Sequence, residues 1–187
     1  MTMAYSLTWL PEVLHGAGLE VSEVPGWQTR GHGDMGNVQG ILCHHTACRN
    51  DHDDHPSLGV VTKGRPDLAG PLAQLLLSQH GIYYVVAAGK CWHAGAGNWH
   101  GVTNGNSHFI GIEAENTGLG NDPWTADQMS AYHKGCAAIL KHIGAGPQMC
   151  AGHREYALPH GRKSDPNFDM VAFRAAVGDI MGVKATA

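Results

Sequence analysis

Short apolar runs separated by turn-forming residues predict several β-strands along this chain. The run Ile41-Leu42-Cys43 lies in a predicted buried strand at 38–45, whose end leads into the polar sequence His-His-Thr. Apolar, β-prone runs at 72–77 and 82–87 flank Gly81 and predict a hairpin. Further strands are predicted at 19–24 and 108–114.

The clearest helical pattern runs from residue 125 to residue 143, with apolar side chains three or four positions apart. Thr125 and Gln128 predict a capping box at its start, and Gly144 ends it. Shorter helices are predicted at 6–16 with Ser6 as the N-cap, from Ser57 onward, and at 168–181. The remaining polar and glycine-rich segments are predicted loops: 25–36, 49–56 and 63–71.

Strands interleaved with helices predict an α/β fold with a central mixed β-sheet flanked by helices. A chain of 187 residues is long enough for one domain with one sizeable core. We therefore expect a single domain over residues 1–182. Residues 183–187 are expected to be the start of a linker, which would lead to a further domain.

Composition favours a compact globule and argues against two classes of partner. Hydrophobic residues make up 43% of the chain and charged residues 15%, unlike a disordered chain. The formal net charge is −4 and basic residues are scattered, so we expect no nucleic-acid partner. No apolar run approaches the roughly 18 residues of a membrane helix. Pro11 and Glu12 interrupt the N-terminal apolar stretch, so we expect no secretory signal.

Cysteine and histidine usage bears on the chemistry. The five cysteines are an odd number without CxxC spacing, which favours buried free thiols over a disulfide framework or a structural zinc site. A bridge from Cys43 to Cys48 is the alternative. The 14 histidines outnumber the 12 lysines and arginines together, and histidine is the commonest metal ligand.

The segment 152–166 combines metal-ligand and cationic side chains in a predicted loop. His153, Lys163 and Asp165 lie within it, and a loop can fold back to bring the first and last together. His44, at the end of a buried strand, is the best candidate for a third ligand. Two imidazoles and one carboxylate with an open fourth position are typical of catalytic zinc. The alternative is that these side chains only cap a strand and form local turns.

The predicted strand at 108–114 raises the question of a general base. Alternation places Glu113 and Glu115 on the face opposite Ile110 and Ile112, but it cannot choose between the two carboxylates. A buried mid-strand carboxylate near a zinc-bound water could act as general base, and a salt bridge or an exposed strand face is the alternative. Lys163 points the same way as Asp165 in extended chain, where it would stabilise an oxyanion or simply be exposed.

Two other segments contain histidines that could bind a ligand or a metal ion. His93 follows Trp92 and precedes a run of small residues, so it could hydrogen-bond a ligand or be an ordinary loop residue. The loop with His52 and His55 is dense in possible ligands, but Pro56 follows it and a solvated loop is the better interpretation. The absence of an HExxH pattern argues against a helix-borne peptidase zinc site.

Five segments, taken in order, resemble the zinc-dependent N-acetylmuramoyl-L-alanine amidase family (amidase type 2), which is related to peptidoglycan recognition proteins. Each is weak alone, but five in this order over about residues 38–178 are specific. Residues 115–118 and 25–27 also resemble amidase domains of actinobacteriophage endolysins, especially mycobacteriophage ones. The segments are Cys43-His44-His45-Thr46-Ala47, Trp92-His93-Ala94-Gly95, Ile110-Gly111-Ile112-Glu113, Gly152-His153-Arg154-Glu155 and Gly161-Arg162-Lys163-Ser164-Asp165-Pro166.

The resemblance implies a role for each candidate residue. The zinc ion would be bound by His44, His153 and Asp165, with His45 only a neighbour. Glu113 would be the general base, and Lys163 the cation that polarises the carbonyl. The substrate-binding residues would be His93, which lines the groove, and Asn116.

The resemblance also implies a fold and a reaction. The zinc site would lie in a cleft on one face of the mixed sheet. The bond cut would join the lactyl group of N-acetylmuramic acid to the L-alanine of the stem peptide in bacterial peptidoglycan. In many relatives a tyrosine on the strand before the hairpin lies near the zinc, whereas residues 72–77 here contain none.

The biological setting and the alternatives follow from the same resemblance. We expect a monomeric phage lysis enzyme, made in the host bacterial cytoplasm and acting on the cell wall, with a wall-binding domain as the expected C-terminal partner. A non-catalytic peptidoglycan-binding module is one alternative, although binding-only relatives lose part of the zinc triad. A zinc peptidase that cuts within the stem peptide is the other.

Overall fold

The computed structural model describes residues 3–48 and 54–183 of the chain. Its strands are β1 Val21–Glu23, β2 Gly40–His45, β3 Gly64–Arg65, β4 Leu68–Ala69, β5 Leu75–Leu77, β6 Tyr83–Val85, β7 Phe109–Ala114 and β8 Cys150–Gly152. Its helices are α1 Leu10–Gly16, α2 Leu58–Lys63, α3 Gly105–His108, α4 Ala126–Ile143, α5 His153–Tyr156 and α6 Met170–Met181. Single 3-10 turns occur at Trp27–Thr29 and Pro147–Met149.

A mixed sheet of six strands, in the order β1-β6-β5-β7-β2-β8, forms the centre of the described chain. The strands β5, β7, β2 and β8 run parallel to one another, and β6 is antiparallel to β5 as the predicted hairpin requires. All six residues of β2 are buried, which is typical of a parallel strand covered on both faces. The predicted α/β fold with a mixed central sheet is confirmed.

One hydrophobic core covers one face of this sheet. It extends from Leu7 near the start of the described chain to Val177 on α6, and it includes the buried stripe of α4. Alternation along β2 directs Ile41 and Cys43 into this core, whereas Leu42 enters a smaller cluster on the opposite face. Because His44 has the same parity as Leu42, its side chain belongs to that opposite face. A single core shared by the N-terminal and C-terminal helices makes the described chain one domain.

Several predicted element boundaries differ from the structure. The first helix begins at Leu10 and not at residue 6, because the backbone N–H of Ser6 is donated to Asp34 in a turn (2.8 Å). The last helix begins at Met170, where Asp169 accepts hydrogen bonds from the first-turn N–H groups. The predicted loop at 63–71 contains the small antiparallel pair β3–β4.

The capping box predicted for α4 is half right. Thr125 accepts a hydrogen bond from the backbone N–H of Gln128 at 3.0 Å, as an N-cap should. The side chain of Gln128 does not return to the cap. It is buried and donates instead to the carbonyl of Glu115 at 2.9 Å, so it connects α4 to the end of β7.

Four cysteines are buried: Cys43, Cys91, Cys136 and Cys150. Folding brings three of them together in the main core, where Cys43, Cys136 and Cys150 place their sulfur atoms within 4.8 Å of one another. Their positions in the sequence gave no sign of this cluster, because each comes from a different element. Residues 49–53, including His52, and the linker positions 184–187 lie outside the described residues. No described helix has the length and apolar character needed to cross a membrane.

Candidate active site

The three predicted metal ligands are brought together at one edge of the sheet. Strands β2 and β8 are parallel, and Cys43 is the register partner of Gly152. The residue that follows each of these partners is a histidine, His44 near the end of β2 and His153 at the start of α5. The register therefore places the two histidines side by side. Asp165 reaches the same place because its loop folds back, and its carbonyl accepts the N–H of Arg154 at 2.6 Å.

The ligand atoms form a nearly equilateral triangle. Nδ1 of His44 lies 3.0 Å from Nδ1 of His153, and each of these atoms lies 3.0 Å from Oδ2 of Asp165. Ligands bound to a tetrahedral zinc ion at about 2.0–2.1 Å are separated by roughly 3.3 Å, so little movement would be needed to accept one. The side chains of His44, His153 and Asp165 are only 1%, 3% and 14% exposed.

The hydrogen bonds around this triangle indicate that it favours a cation. Nε2 of His153 lies 3.0 Å from the carbonyl oxygen of Ala94, and because a carbonyl only accepts, this nitrogen carries the ring proton. Nδ1 of a neutral His153 is then a bare lone pair directed at the triangle. Burial alone would raise the pKa of Asp165, but its short contacts with His153 and His44 outweigh burial and lower it. An ionised carboxylate and a lone pair that face each other call for a cation.

The electrostatics of His44 favour the neutral imidazole that a metal requires. Burial and the neighbouring His153 lower the pKa of His44 to about 4, against the opposing effect of Asp165. The ring is therefore uncharged at neutral pH and can bind a cation. Among the described residues, the triangle and the Cys43 cluster are the two groups arranged to hold a metal ion.

Glu113 lies beside the triangle because β7 and β2 are in register. His44 and Glu113 are partners on adjacent parallel strands, and Oε1 of Glu113 is 3.9 Å from Nδ1 of His44. Its other oxygen, Oε2, is buried and has no hydrogen-bond partner. Burial, reinforced by the charge of Asp165, raises the pKa of Glu113 to about 8. A carboxyl group with this pKa and one free oxygen is suited to exchanging protons near neutral pH.

The triangle opens into a cleft with basic side chains at its rim. A cavity of about 330 Å³ contains Glu113, His153 and Asp165 in its wall, and a second of about 350 Å³ adjoins it. Both are lined by Leu68, Trp92, His93, His153, Arg162 and Lys163. Lys163 is exposed, and its charge lowers the pKa of Glu113 in opposition to burial. A larger cavity of about 650 Å³ lies between α1 and α4, away from these groups.

The sequence profile of the N-acetylmuramoyl-L-alanine amidase family (amidase type 2) matches residues 34–168, more than two thirds of the chain. The chain belongs to this family. The family predicted from the five ordered segments is thus confirmed, and the matched region contains the triangle, Glu113 and Lys163. A sequence search of curated proteins finds no match.

Several solved structures share the fold. The amidase AmiD from E. coli, in complex with the substrate anhydro-N-acetylmuramic acid-L-Ala-D-gamma-Glu-L-Lys, is 21% identical with a TM-score of 0.62, over 84% of this chain and 63% of that one. AmpDh3 from Pseudomonas aeruginosa is 23% identical with a TM-score of 0.63, over 86% and 65%. A mutant endolysin from Bacillus subtilis is 16% identical with a TM-score of 0.62, over 86% and 99%. The chain thus spans less than two thirds of the first two.

The two residues that the amidase resemblance assigned to substrate binding occupy different settings. His93 lines both cavities but is only 8% exposed, and its ring nitrogens face His44 and the carbonyl of Phe109. Asn116 does not line either cavity and is 1% exposed. Its amide accepts from Gly118 and donates to the carbonyl of Asp122, so the structure places it in a loop-stabilising position.

The structure separates the two carboxylates that alternation could not distinguish. Glu115 is 1% exposed and accepts hydrogen bonds from the N–H and hydroxyl of Ser57 and from the hydroxyl of Thr46. It therefore holds the start of α2 against the end of β2, whereas Glu113 faces the cleft. His45 lines the cleft beside the triangle with its Nδ1 buried and without a partner.

The cleft also has wall residues that were not predicted. Arg65, Leu68 and Leu72 line it although they come from segments predicted as loop and buried strand. Arg162 was quoted only as part of a motif, yet its guanidinium donates to the carbonyl of Ala96 at 2.7 Å and closes one side. No periodicity could have revealed them, because the β3–β4 pair brings the first two to the site.

Proposed function

We propose that this protein uses one zinc ion to hydrolyse the amide bond between the lactyl group of N-acetylmuramic acid and the L-alanine of the peptidoglycan stem peptide. The proposal rests on one observation, the triangle of His44, His153 and Asp165 beside Glu113 in an open cleft. Membership of the amidase family supports the choice of bond. The muropeptide bound in the similar fold of AmiD supports the class of substrate.

The donor set is that of a catalytic zinc site. Two neutral imidazoles and one carboxylate, from His44, His153 and Asp165, leave the ion a net charge of about +1 and one open position. A zinc ion held by these three residues would lower the pKa of a water molecule to about 7 and polarise the substrate carbonyl.

The protein's own side chains then carry the proton and the charge. Glu113 takes the proton of the attacking water through its unpartnered Oε2 and delivers it to the nitrogen of the leaving L-alanine. A divalent cation held by the triangle would favour the ionised form of Glu113, whose pKa without the metal is about 8, and so make it a better base at neutral pH. Lys163, at the cavity rim, stabilises the negative charge that develops on the carbonyl oxygen.

The proposed setting is lysis of a bacterial host by a phage. Endolysins among the structures with this fold support that assignment. The protein would be a monomer made in the host cytoplasm, acting on the cell wall without nucleic-acid or membrane partners.

Mass spectrometry of digested cell wall tests the proposal. We expect new L-alanine amino termini together with free lactyl carboxyl groups on muramic acid, and we expect His44→Ala to abolish both. New amino termini only at later stem residues would identify a peptidase. Undiminished lysis by His44→Ala, or wall binding without cleavage, would reject the catalytic role of the zinc site.

A further inference from the structure

A line of three hydrogen-bonding groups lies behind the metal triangle. Nε2 of His93 is 3.2 Å from the carbonyl oxygen of Phe109, and Nδ1 of His93 is 3.1 Å from Nε2 of His44. The opposite nitrogen of His44, Nδ1, is the one that faces His153 and Asp165. The line therefore runs from a backbone carbonyl through two imidazole rings to the triangle.

The donors and acceptors along this line allow one arrangement of protons. The carbonyl of Phe109 only accepts, so Nε2 of His93 must carry a proton. A neutral His93 then has a bare Nδ1, which can only accept. Nε2 of His44 must therefore donate to it, which leaves Nδ1 of His44 as a lone pair. His93 is only 8% exposed and its ring nitrogens face an imidazole and a carbonyl, so neither nitrogen contacts a negative charge that would favour a second ring proton.

We infer that His93 is a positioning residue, which holds the ring proton of His44 on Nε2 and thereby keeps Nδ1 bare and correctly oriented for the metal. This inference rests on the proposed metal site. It gives His93 a role behind the ligand in place of the predicted contact with substrate. Metal-bound histidines commonly donate their second N–H to an acceptor that fixes the tautomer and raises ligand basicity.

The backbone around His93 is built to support this role for both histidine ligands. The carbonyl of the next residue, Ala94, is the acceptor for Nε2 of His153. Oδ1 of Asn106 accepts the backbone N–H groups of both His93 and Ala94, at 2.9 and 2.8 Å. The dipeptide His93-Ala94 thus fixes the ring proton of both ligands. The side chain of His93 accepts from His44, and the carbonyl of Ala94 accepts from His153.

Gly111 provides the space for the His93 ring. A Cβ atom at this position would lie 2.7 Å from Cγ and 2.8 Å from Nδ1 of His93, closer than real contacts allow. The glycine on β7 therefore lets the ring lie flat against the strand, between Phe109 and His44. A side chain there would push His93 away from the ligand.

Two variants of His93 test the inference. His93→Leu fills the space but removes the acceptor, and we expect zinc affinity, measured by competition with a chromophoric chelator, to fall about 10–100-fold. His93→Asn places its Oδ1 where Nδ1 was, and we expect it to restore most of that affinity. Zinc-saturated His93→Asn should retain a KM close to that of the unaltered protein. Equal zinc affinity in all three proteins, or a raised KM with unchanged affinity, would overturn the inference in favour of a substrate contact.

Proton–nitrogen NMR spectra of the imidazole rings give a second readout that needs no metal. In the metal-free, unaltered protein we expect the ring proton of both His44 and His93 on Nε2. A proton on Nδ1 of His44 would overturn the inference, and this spectrum decides the matter even if His93→Leu does not fold. If the unaltered protein bound no zinc, the proposed function would fail while the tautomers still tested the proton arrangement.

Discussion

The raised pKa of Glu113 results from its position on the buried strand β7. Because β7 is buried against β2, the carboxyl group lies next to His44 and Asp165 with little access to water. The carboxyl is therefore more easily kept neutral in the folded protein than in the unfolded chain, where its pKa is the ordinary 4.5. The pH dependence of stability should show this difference.

We predict that Glu113→Gln stabilises the metal-free protein at high pH. A pKa raised from 4.5 to about 8 on folding contributes stability that is complete below 4.5 and is lost as pH rises through 8. The variant has no such loss, so at pH 9 its free energy of unfolding should exceed that of the unaltered protein by roughly 2 kcal/mol or more. Because one pKa unit corresponds to about 1.36 kcal/mol, the rise from 4.5 to about 8 limits this difference in the free energy of unfolding to about 5 kcal/mol. Urea unfolding at pH 4.5 and pH 9 measures the difference.

The same variant has the opposite effect on catalysis. Loaded with zinc, Glu113→Gln should lose roughly 10²–10⁴-fold in kcat because no other group takes the proton from water. Zinc content should be unchanged, since Glu113 is not one of the proposed ligands. Equal stability of the two metal-free proteins at both pH values would contradict the assigned burial of Glu113.

At the scale of elements, the hydroxyl group of Tyr132 connects α4 to the strand of the proposed metal ligand His44. Tyr132 is fully buried, accepts the backbone N–H of His44 at 3.1 Å and lies 3.1 Å from the carbonyl of Ile112. The long helix thereby holds the ends of β2 and β7 from the face opposite the cleft. The N-cap of α4, Thr125, lies at the predicted residue.

We predict that Tyr132→Phe lowers the free energy of unfolding by about 1–3 kcal/mol, since it leaves buried backbone groups without their partner. It should also weaken zinc binding, because the backbone of His44 loses its support. Tyr83→Phe is the matched control, since Tyr83 is equally buried and donates to Ala131 away from the site. Chelator competition on both variants separates the effects, and equal loss of zinc affinity in the two would argue against the connection.

At the scale of the whole molecule, the metal site joins parts of the chain that are far apart in sequence. His44 comes from a central strand, His153 from the start of a short helix and Asp165 from a loop. An ion that binds only the folded arrangement stabilises it by mass action. We therefore expect bound metal to raise the stability of the fold, and loss of the fold to release the metal.

We predict that zinc at about 100 times its dissociation constant adds about 2.7 kcal/mol to stability and raises Tm by roughly 5–10 °C. Chelation should reverse the gain and abolish activity. Asp165→Asn keeps the shape of the side chain but removes its charge, and most of the zinc-dependent rise in Tm should disappear. Thermal unfolding with and without zinc measures it, and an unchanged rise in this variant would exclude Asp165 as a ligand.

Much of the fold was predictable because it depends on local patterns. The hairpin at Gly81, the strand of His44 and the helix after Thr125 all follow from apolar periodicity and turn residues. The small β3–β4 pair could not be predicted in this way, because two-residue strands are too short to show a period. The start of the first helix could not be predicted either, because the contact between Ser6 and Asp34 joins residues far apart in sequence.

The sequence by itself determined the α/β class, the family and the candidate ligands, because ordered motifs and periodicity are properties of neighbouring residues. Only the tertiary structure decided which carboxylate faces the cleft, since Glu113 and Glu115 have the same parity and differ only in their surroundings. It also decided that His93 stands behind His44 and that three cysteines meet in the core. These outcomes depend on strand register and on how loops return to the sheet, which no short stretch of sequence encodes.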